Sequence, residues 1–462
     1  MRTDRRRGRN AHAATGRRTA CSSALFLAGL LALSAAGPAR GDDFDTQVAA
    51  GKDAISVGRF KVAERSFLKA LELRPGHPEA LYGAGFAAMQ LGRRKTAVER
   101  FEGVLKATYA TPELKTFHTL ALTRIGEILL YDRRWDEAVA VYERGLKNDS
   151  QNADLHYGHG VALRGKGRND KALREFEEAL RIEPKHAGAM VGKASVYYEM
   201  GNVPEAFALL ENAAAASPGN GLPYGVMGSF YQDMKKPFES HMMYGHYYFM
   251  MRDLKHSADE YRNALAIKET PEAHYSIGMI KLQLADAREA ETHFRRALDL
   301  KIKPADSSQA QLAVALARQG KLTEAMVMLR KAIRGNPKEP GYLTQMSWIA
   351  LQNGDKDEAE RSARKALELD PNLAAGYRYL GDVYSSRSQW RDAIGAYEKA
   401  LSRDPNLDDV YVNLGWAYES SGDLISAQRN YEIFLTVSTD QDAMEKVRAQ
   451  IKTLKARQRK VG

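Results

Sequence analysis

The sequence predicts an all-α chain that stacks one helical hairpin many times over, and three observations carry that prediction. The first is recurrence. FKVAERSFLKALELRP (60–75), NDKALREFEEALRIEP (169–184), KDEAERSARKALELDP (356–371) and WRDAIGAYEKALSRDP (390–405) are variants of one pattern. The second is spacing inside each segment, with apolar residues at i, i+3, i+4 and i+7, the stripe of an amphipathic helix. The third is punctuation: Gly or a polar residue breaks the chain between two such helices, and Pro closes the second because it cannot continue the hydrogen-bond ladder.

Aligned on their first alanine, the segments run through Ala63, Ala97, Ala138, Ala172, Ala206, Ser257, Ala290, Ala325, Ala359, Ala393 and Ala427. Most gaps are 34 residues. Twelve residues before each stands a small residue: Gly51, Gly85, Gly126, Gly160, Ala194, Gly245, Gly278, Ala313, Ser347, Gly381 and Gly415. Small residues at that offset fall where two antiparallel helices must approach, and the residue four after the alanine, usually aromatic, fills the gap beside them. One hairpin of this kind cannot bury its apolar face alone, so neighbours must stack.

The chain opens differently. Residues 1–18 are rich in arginine and are followed by the apolar run ALFLAGLLALSAA (24–36) and then small residues. That order reads as a secretory signal peptide over 1–39, with the mature chain starting near Gly37 or Arg40. Thr19–Ala39 is uncharged and long enough for an uncleaved anchor, the alternative reading. The expected destination is the periplasm of a bacterium. The only cysteine, Cys21, lies in this segment, so no disulfide within the chain is possible. The overall charge of +10 comes from the two ends, because 1–39 carry seven arginines against one aspartate and 442–462 carry seven basic groups against two acidic. The body between them is close to neutral, which argues against a nucleic-acid partner.

Two gaps break the period. One of 41 residues implies seven extra residues near Pro112–His118, as a lengthened helix or loop. One of 51 residues is a repeat and a half. Residues 221–237 (GLPYGVMGSFYQDMKKP) read as a first helix without its second, a half-repeat seam between an N-terminal array (44–220) and a C-terminal array (238–441). Residues 442–462, with Met444, Val447, Ile451 and Leu454 on a basic helix, suit the solvating cap that an open stack needs.

Tyr377-x-x-Leu380-Gly381-x-x-Tyr384 with Ala393, Tyr397, Ala400 and Pro405 resembles the tetratricopeptide repeat (TPR) family, as does Tyr411-x-x-Leu414-Gly415-x-x-Tyr418 with Ala427 and Tyr431. The resemblance covers roughly 44–441. It implies a superhelical solenoid of about eleven helix–turn–helix repeats, one extra half-repeat and a capping helix. By the family's register, the groove-facing positions of the first helices are Tyr82, Phe86, Tyr157, Tyr198, Met242, His246, Phe249, Tyr275, Met279, Trp348 and Trp416. Such a lining favours a protein or peptide segment with apolar anchors.

Other candidate chemistry gives way to the repeat. In HMMYGHYYFMM (241–251), Tyr244 and Tyr248 take core positions of a first helix, while Met242, His246 and Met250 share one face that could hold Cu(I). Adaptable Met and aromatic lining of a peptide groove is the simpler account. Gly160-x4-Gly165-Lys166-Gly167 lacks the Ser/Thr and the preceding strand of a phosphate-binding loop. His156 and His159 could meet as ligands, but no third ligand is evident. Ser66-x-x-Lys69 and Ser362-x-x-Lys365 sit in second helices without partner motifs. The sequence therefore leads to a non-enzymatic scaffold with no cofactor or metal, exported to the cell envelope, whose membrane contact runs only through an uncleaved N-terminus or a partner. The alternatives are an accessory protein of envelope polysaccharide synthesis or export, because aromatic faces also stack on sugars, and a copper-binding protein.

Overall fold

The computed structural model describes residues 43–107 and 113–461, and among them every regular element is a helix. The expected leader, 1–39, and Pro112 lie outside the described residues. Twenty-four helices follow one another: α1 (Asp43–Ser56), α2 (Phe60–Leu73), α3 (Pro78–Gln90), α4 (Arg94–Leu105), α5 (Leu114–Tyr131), α6 (Trp135–Asn148), α7 (Ala153–Gly165), α8 (Asn169–Ile182), α9 (Ala187–Glu199), α10 (Val203–Ala216), α11 (Leu222–Asp233), α12 (Pro237–Met250), α13 (Leu254–Ile267), α14 (Pro271–Gln283), α15 (Ala287–Asp299), α16 (Ala305–Arg318), α17 (Leu322–Gly335), α18 (Pro340–Gln352), α19 (Lys356–Leu369), α20 (Ala374–Ser386), α21 (Trp390–Arg403), α22 (Asp408–Ser421), α23 (Leu424–Val437) and α24 (Gln441–Val461). The chain divides into two compact units, one ending at Glu260 and the other beginning at Tyr261.

Within each unit the repeat chemistry appears as expected. The aligned alanines are fully buried, and Phe67, Phe101, Tyr142, Phe176, Phe294, Tyr397 and Tyr431, four residues after them, each wedge against the glycine of their own first helix. Phe176 shows why that residue is glycine: a Cβ on Gly160 would stand 2.7 Å from its ring. The same ring would be 2.5 Å from a Cβ on Gly192, in the first helix of the next repeat. Phe67 lies likewise between Gly51 and Gly83, and Tyr142 between Gly126 and Gly158. One aromatic therefore joins two hairpins. The hairpin turns also share a shape, with a left-handed residue seven after each small residue: Gly58, Gly92, Arg133, Gly167, Gly201, Arg252, Ala285, Gly320, Gly354, Ser388 and Gly422. Glycine adopts this conformation without cost, and arginine, alanine or serine only under tertiary constraint.

The first interruption is a lengthened first helix. α5 has 18 residues where its counterparts α3 and α7 have 13. The second corrects the half-repeat reading. α11 does have a second helix, and it is α12. Ser240, twelve after Gly228, donates its hydroxyl to the Gly228 carbonyl at 2.9 Å, and Tyr244, four further on, packs on Gly228. The same helix is also a first helix, because Ser257, twelve after Gly245, donates to the Gly245 carbonyl at 2.8 Å. Left-handed residues Lys235 and Arg252 mark a hairpin turn on both sides of α12. The extra helix of the half-repeat is thus shared between two partners. At the C-terminal end, Met444, Val447, Ile451 and Leu454 of α24 are buried with Ala427, Tyr431 and Phe434 of α23, as a cap requires.

Candidate functional site

The expected groove residues separate into a covered and an accessible set. Tyr82 and Phe86, each 1% exposed, belong to the core. The lengthened α5 is the reason. It brings Phe117 to 6.1 Å from the Tyr82 ring, and Arg124 donates from Nε to the Tyr82 hydroxyl at 3.3 Å. The Arg124 guanidinium also stands 5.9 Å from the Phe86 ring centre and pairs with Glu127 at 2.7 Å. Burial alone would weaken the arginine's charge, but Tyr82 and Glu127 hold its pKa above the ordinary value. Sequence reasoning missed this buried cation; its signal is a charged residue within an otherwise apolar first-helix face.

Met242 is likewise core, at 8% exposure. The Met-His-Met face of α12 turns toward α11: the His246 ring lies 5.3 Å from Tyr224, and a Cβ on Gly221 would meet the Met250 Cβ at 3.2 Å. Burial lowers the His246 pKa. Because α12 is the second helix of α11, this face is an inter-helix contact rather than an open lining. Among the described residues no group of three or more histidine, cysteine, aspartate or glutamate side chains is gathered to hold a metal.

The remaining residues are partly or largely exposed. Tyr157 is half-buried beside His186, ring centres 5.2 Å apart. His186 accepts the Ala189 amide at Nδ1 (3.0 Å), which leaves its Nε2–H to donate to Asp154 at 3.2 Å. Burial opposes the charge on His186, yet the Asp154 hydrogen bond raises its pKa overall. Tyr198 stacks on Phe230 and donates its hydroxyl to the Phe230 carbonyl at 3.2 Å. Phe249 is half-buried. In the second unit, Tyr275, Met279 and Trp348 are half-buried against the core of α14–α19, and Val314 of α16 joins them. Trp416 is 48% exposed and meets Trp390 edge-on at 4.9 Å.

Further along this unit the apolar lining gives way to charge. Arg378 pairs with Asp409, and Asp382 accepts from the Tyr397 hydroxyl (2.7 Å) and Asn413 (3.2 Å). Burial raises the Asp382 pKa against those hydrogen bonds. Among the described residues no helix is long and apolar enough to cross a membrane; the apolar run 24–36 lies outside them.

Comparison with known proteins agrees with this architecture. A family model of the tetratricopeptide repeat matches residues 48–113, 123–182, 157–221 and 275–340, half of the chain, and two further TPR models match 340–373 and 381–422. The chain belongs to the tetratricopeptide-repeat family. It is 28% identical over 240 residues to the protein O-mannosyl-transferase TMTC3 of Homo sapiens, covering 48% of this chain and 25% of that protein. It is 31% identical over 91 residues to a probable UDP-N-acetylglucosamine–peptide N-acetylglucosaminyltransferase, SPINDLY, of Arabidopsis thaliana, covering 20% of this chain and 10% of that one. The chain thus spans a quarter or less of the length of these relatives. The crystal structure of the APC/C hetero-tetramer Cut9–Hcn1 aligns over 92% of this chain and 98% of its own, with a TM-score of 0.46 at 13% identity.

Proposed function

We propose that this protein is a non-enzymatic scaffold of the bacterial cell envelope that holds a partner protein by an extended or helical segment laid across its first helices. The observation that carries the reading is the row Tyr275, Met279, Val314 and Trp348, apolar side chains left half-exposed on successive first helices of one unit. A stack that needed them only for packing would cover them, as it covers Tyr82 and Phe86. The partner carries apolar or aromatic anchors, because half-buried aromatics supply most binding energy against pockets that exclude water. The N-terminal sequence supports export to the periplasm, and N-terminal sequencing of the mature chain from a native envelope checks it: a start near Gly37 or Arg40 is expected, whereas retention of 1–39 favours an anchor.

The binding reading is tested by placing a photo-crosslinking side chain at Trp348 or Trp416 in the native envelope, with Val327, an exposed second-helix residue, as control. One partner segment is expected from 348 and 416 and not from 327. With that segment as ligand, Trp416→Ala should weaken binding by roughly 2 kcal/mol or more while the melting temperature stays close to that of the parent. Equal crosslinking from 327, or lost stability with unchanged affinity, overturns the assignment.

A further inference from the structure

The regular junction between repeats has a proline twelve residues after the aligned alanine: Pro75, Pro184, Pro371 and Pro405. Between α15 and α16 the junction differs. Ala290 and Ala325 stand 35 residues apart, one more than the period, and Pro304 comes fourteen after Ala290. α15 ends in a Schellman closure: Lys301 takes the left-handed conformation (φ 62) and its N–H donates to the Leu298 carbonyl at 2.9 Å, while the Ile302 N–H donates to the Ala297 carbonyl at 3.1 Å. That turn buries Ile302, at the position the proline usually takes, and leaves Lys301 and Lys303 exposed on either side of it. Glu183, Asp370 and Asp404 precede the proline at three of the regular junctions, and a lysine, Lys303, precedes it here. The result is an open crevice of about 460 Å³ with an apolar wall that includes Leu298, Ile302 and Met328, and with Lys301, Lys303 and Lys331 around it. No carboxylate lines it, and among the described residues none of the three lysines has a hydrogen-bond or ion-pair partner. The acids nearest in sequence are engaged elsewhere: Asp306 accepts from the Tyr342 hydroxyl at 2.9 Å, and the charge of Asp299 acts on Arg296. A crevice of similar build beside Tyr377 is different in charge, with Glu368 and Asp392 among its cations.

We propose that the α15–α17 crevice binds an acyl-chain anion of the fatty-acid type, with its carboxylate at the lysine rim and its chain along Leu298, Ile302 and Met328. The size is that of a small-ligand site, and such sites are mostly apolar with a few charged groups that fix orientation. The sign of the rim selects the head: three uncompensated ammonium groups repel one another, and one carboxylate among them relieves that repulsion. The wall selects the tail. A small hydrophilic anion would gain only an exposed ion pair, which is weak in water, whereas each methylene moved from water onto an apolar wall strengthens binding about fourfold. Met328, half-buried and unbranched, has the rotamer freedom to follow a chain. A peptide laid in the same place would bring backbone amides that the apolar wall cannot satisfy; an alkyl chain has none.

Leu298 and Met328 belong to second helices, so the crevice is separate from the first-helix row of Tyr275, Met279, Val314 and Trp348 and the inference is independent of the scaffold reading. It is tested on the full chain with octanoate and decanoate below their micelle concentrations, followed by calorimetry and by the ¹³C-methyl signal of Met328. Expected is one equivalent of decanoate that shifts the Met328 signal and binds roughly tenfold more tightly than octanoate, as two further buried methylenes require. Decyltrimethylammonium, which has the same chain and the opposite charge, should leave the Met328 signal in place. Lys303 and Lys331 are exposed, so Lys303→Glu with Lys331→Glu should melt like the parent and weaken decanoate at least tenfold. Lys171→Glu, at an exposed lysine on α8, should change nothing. The parent experiments stand even if the double variant folds poorly: no saturable site, a Met328 signal that stays still at saturation, or equal binding of the cationic chain overturns the proposal, as does undiminished decanoate binding by the folded double variant.

Discussion

Phe176 fills a slot with a glycine on either side, and the two glycines are not equally visible from sequence. Gly160 stands at the fixed offset of twelve and is read at once; Gly192 belongs to the next repeat and carries no local signal, because its reason is a ring that arrives from another hairpin. The prediction at this scale contrasts two helical glycines. Gly192→Ala forces a Cβ into the Phe176 ring, and overpacking of this kind costs about 1–3 kcal/mol. A Cβ on Gly395 meets nothing within 4 Å, so Gly395→Ala should stabilise by about 0.5–1 kcal/mol through helix propensity and lost chain entropy. Chemical denaturation of both variants checks the pair, and the opposite signs are the point of the measurement. The same limit explains the groove: the family register places Tyr82, Phe86 and Met242 on the right helices, but whether a side chain there stays open depends on what the neighbouring helix brings over it, Phe117 and Arg124 in one case and α11 in the other.

A helix pair in this protein has an electrostatic profile as well as an apolar one. In the α7–α8 hairpin the Glu175 carboxylate meets His156 at 2.7 Å and His159 at 3.2 Å. Burial pushes Glu175 upward, but the two histidines outweigh it and hold the carboxyl down near 2, below its ordinary 4.5. The Glu175 hydrogen bond, against burial, raises His156 above its ordinary 6.5. A carboxylate lowered in the folded state contributes stability above pH 4.5 and loses it as the pH falls toward 2. A histidine raised in the folded state contributes fully below pH 6.5 and loses it as the pH rises through the folded value. The clasp is therefore strongest between about pH 4.5 and 6.5. The melting-temperature difference between the parent and Glu175→Gln should peak in that window and shrink on both sides; a difference that keeps growing to pH 8 contradicts the assignment. The sequence showed both histidines, yet not their partner, because an offset of nineteen has meaning only once the hairpin is closed.

For the whole molecule, the repeated period made the class of fold, the number of hairpins and the cap legible before any coordinate, since each depends on a pattern that recurs. The double role of α12 was hidden because Ser240 and Tyr244, which mark a second helix, are interleaved with Gly245 and Tyr248, which mark a first, and an alignment at 34 residues reads only one of the two. Stability in such a stack is summed from neighbours. Hydrogen exchange should accordingly show protection falling by steps within each unit, with the outermost hairpins α1–α2 and α22–α23 opening before the inner ones. One uniform level of protection from end to end would speak against it.

Because α12 answers to both neighbours, the reading frame of the stack can be cut there by half a period. Lys235 and Arg252, seventeen residues apart, make the same left-handed turn, and Ser240 and Ser257 make the same hydroxyl bond, to the carbonyls of Gly228 and Gly245. Excising residues 237–253 joins Lys236 to Leu254 and sets Gly228 twelve residues before the serine that followed Gly245, so the two ends meet in phase. The shortened chain should fold with a helical circular-dichroism spectrum and a cooperative melt. The same length removed around α7, from a helix that belongs to one hairpin only, should leave α8 facing the wrong partner and give an unstable or aggregated product.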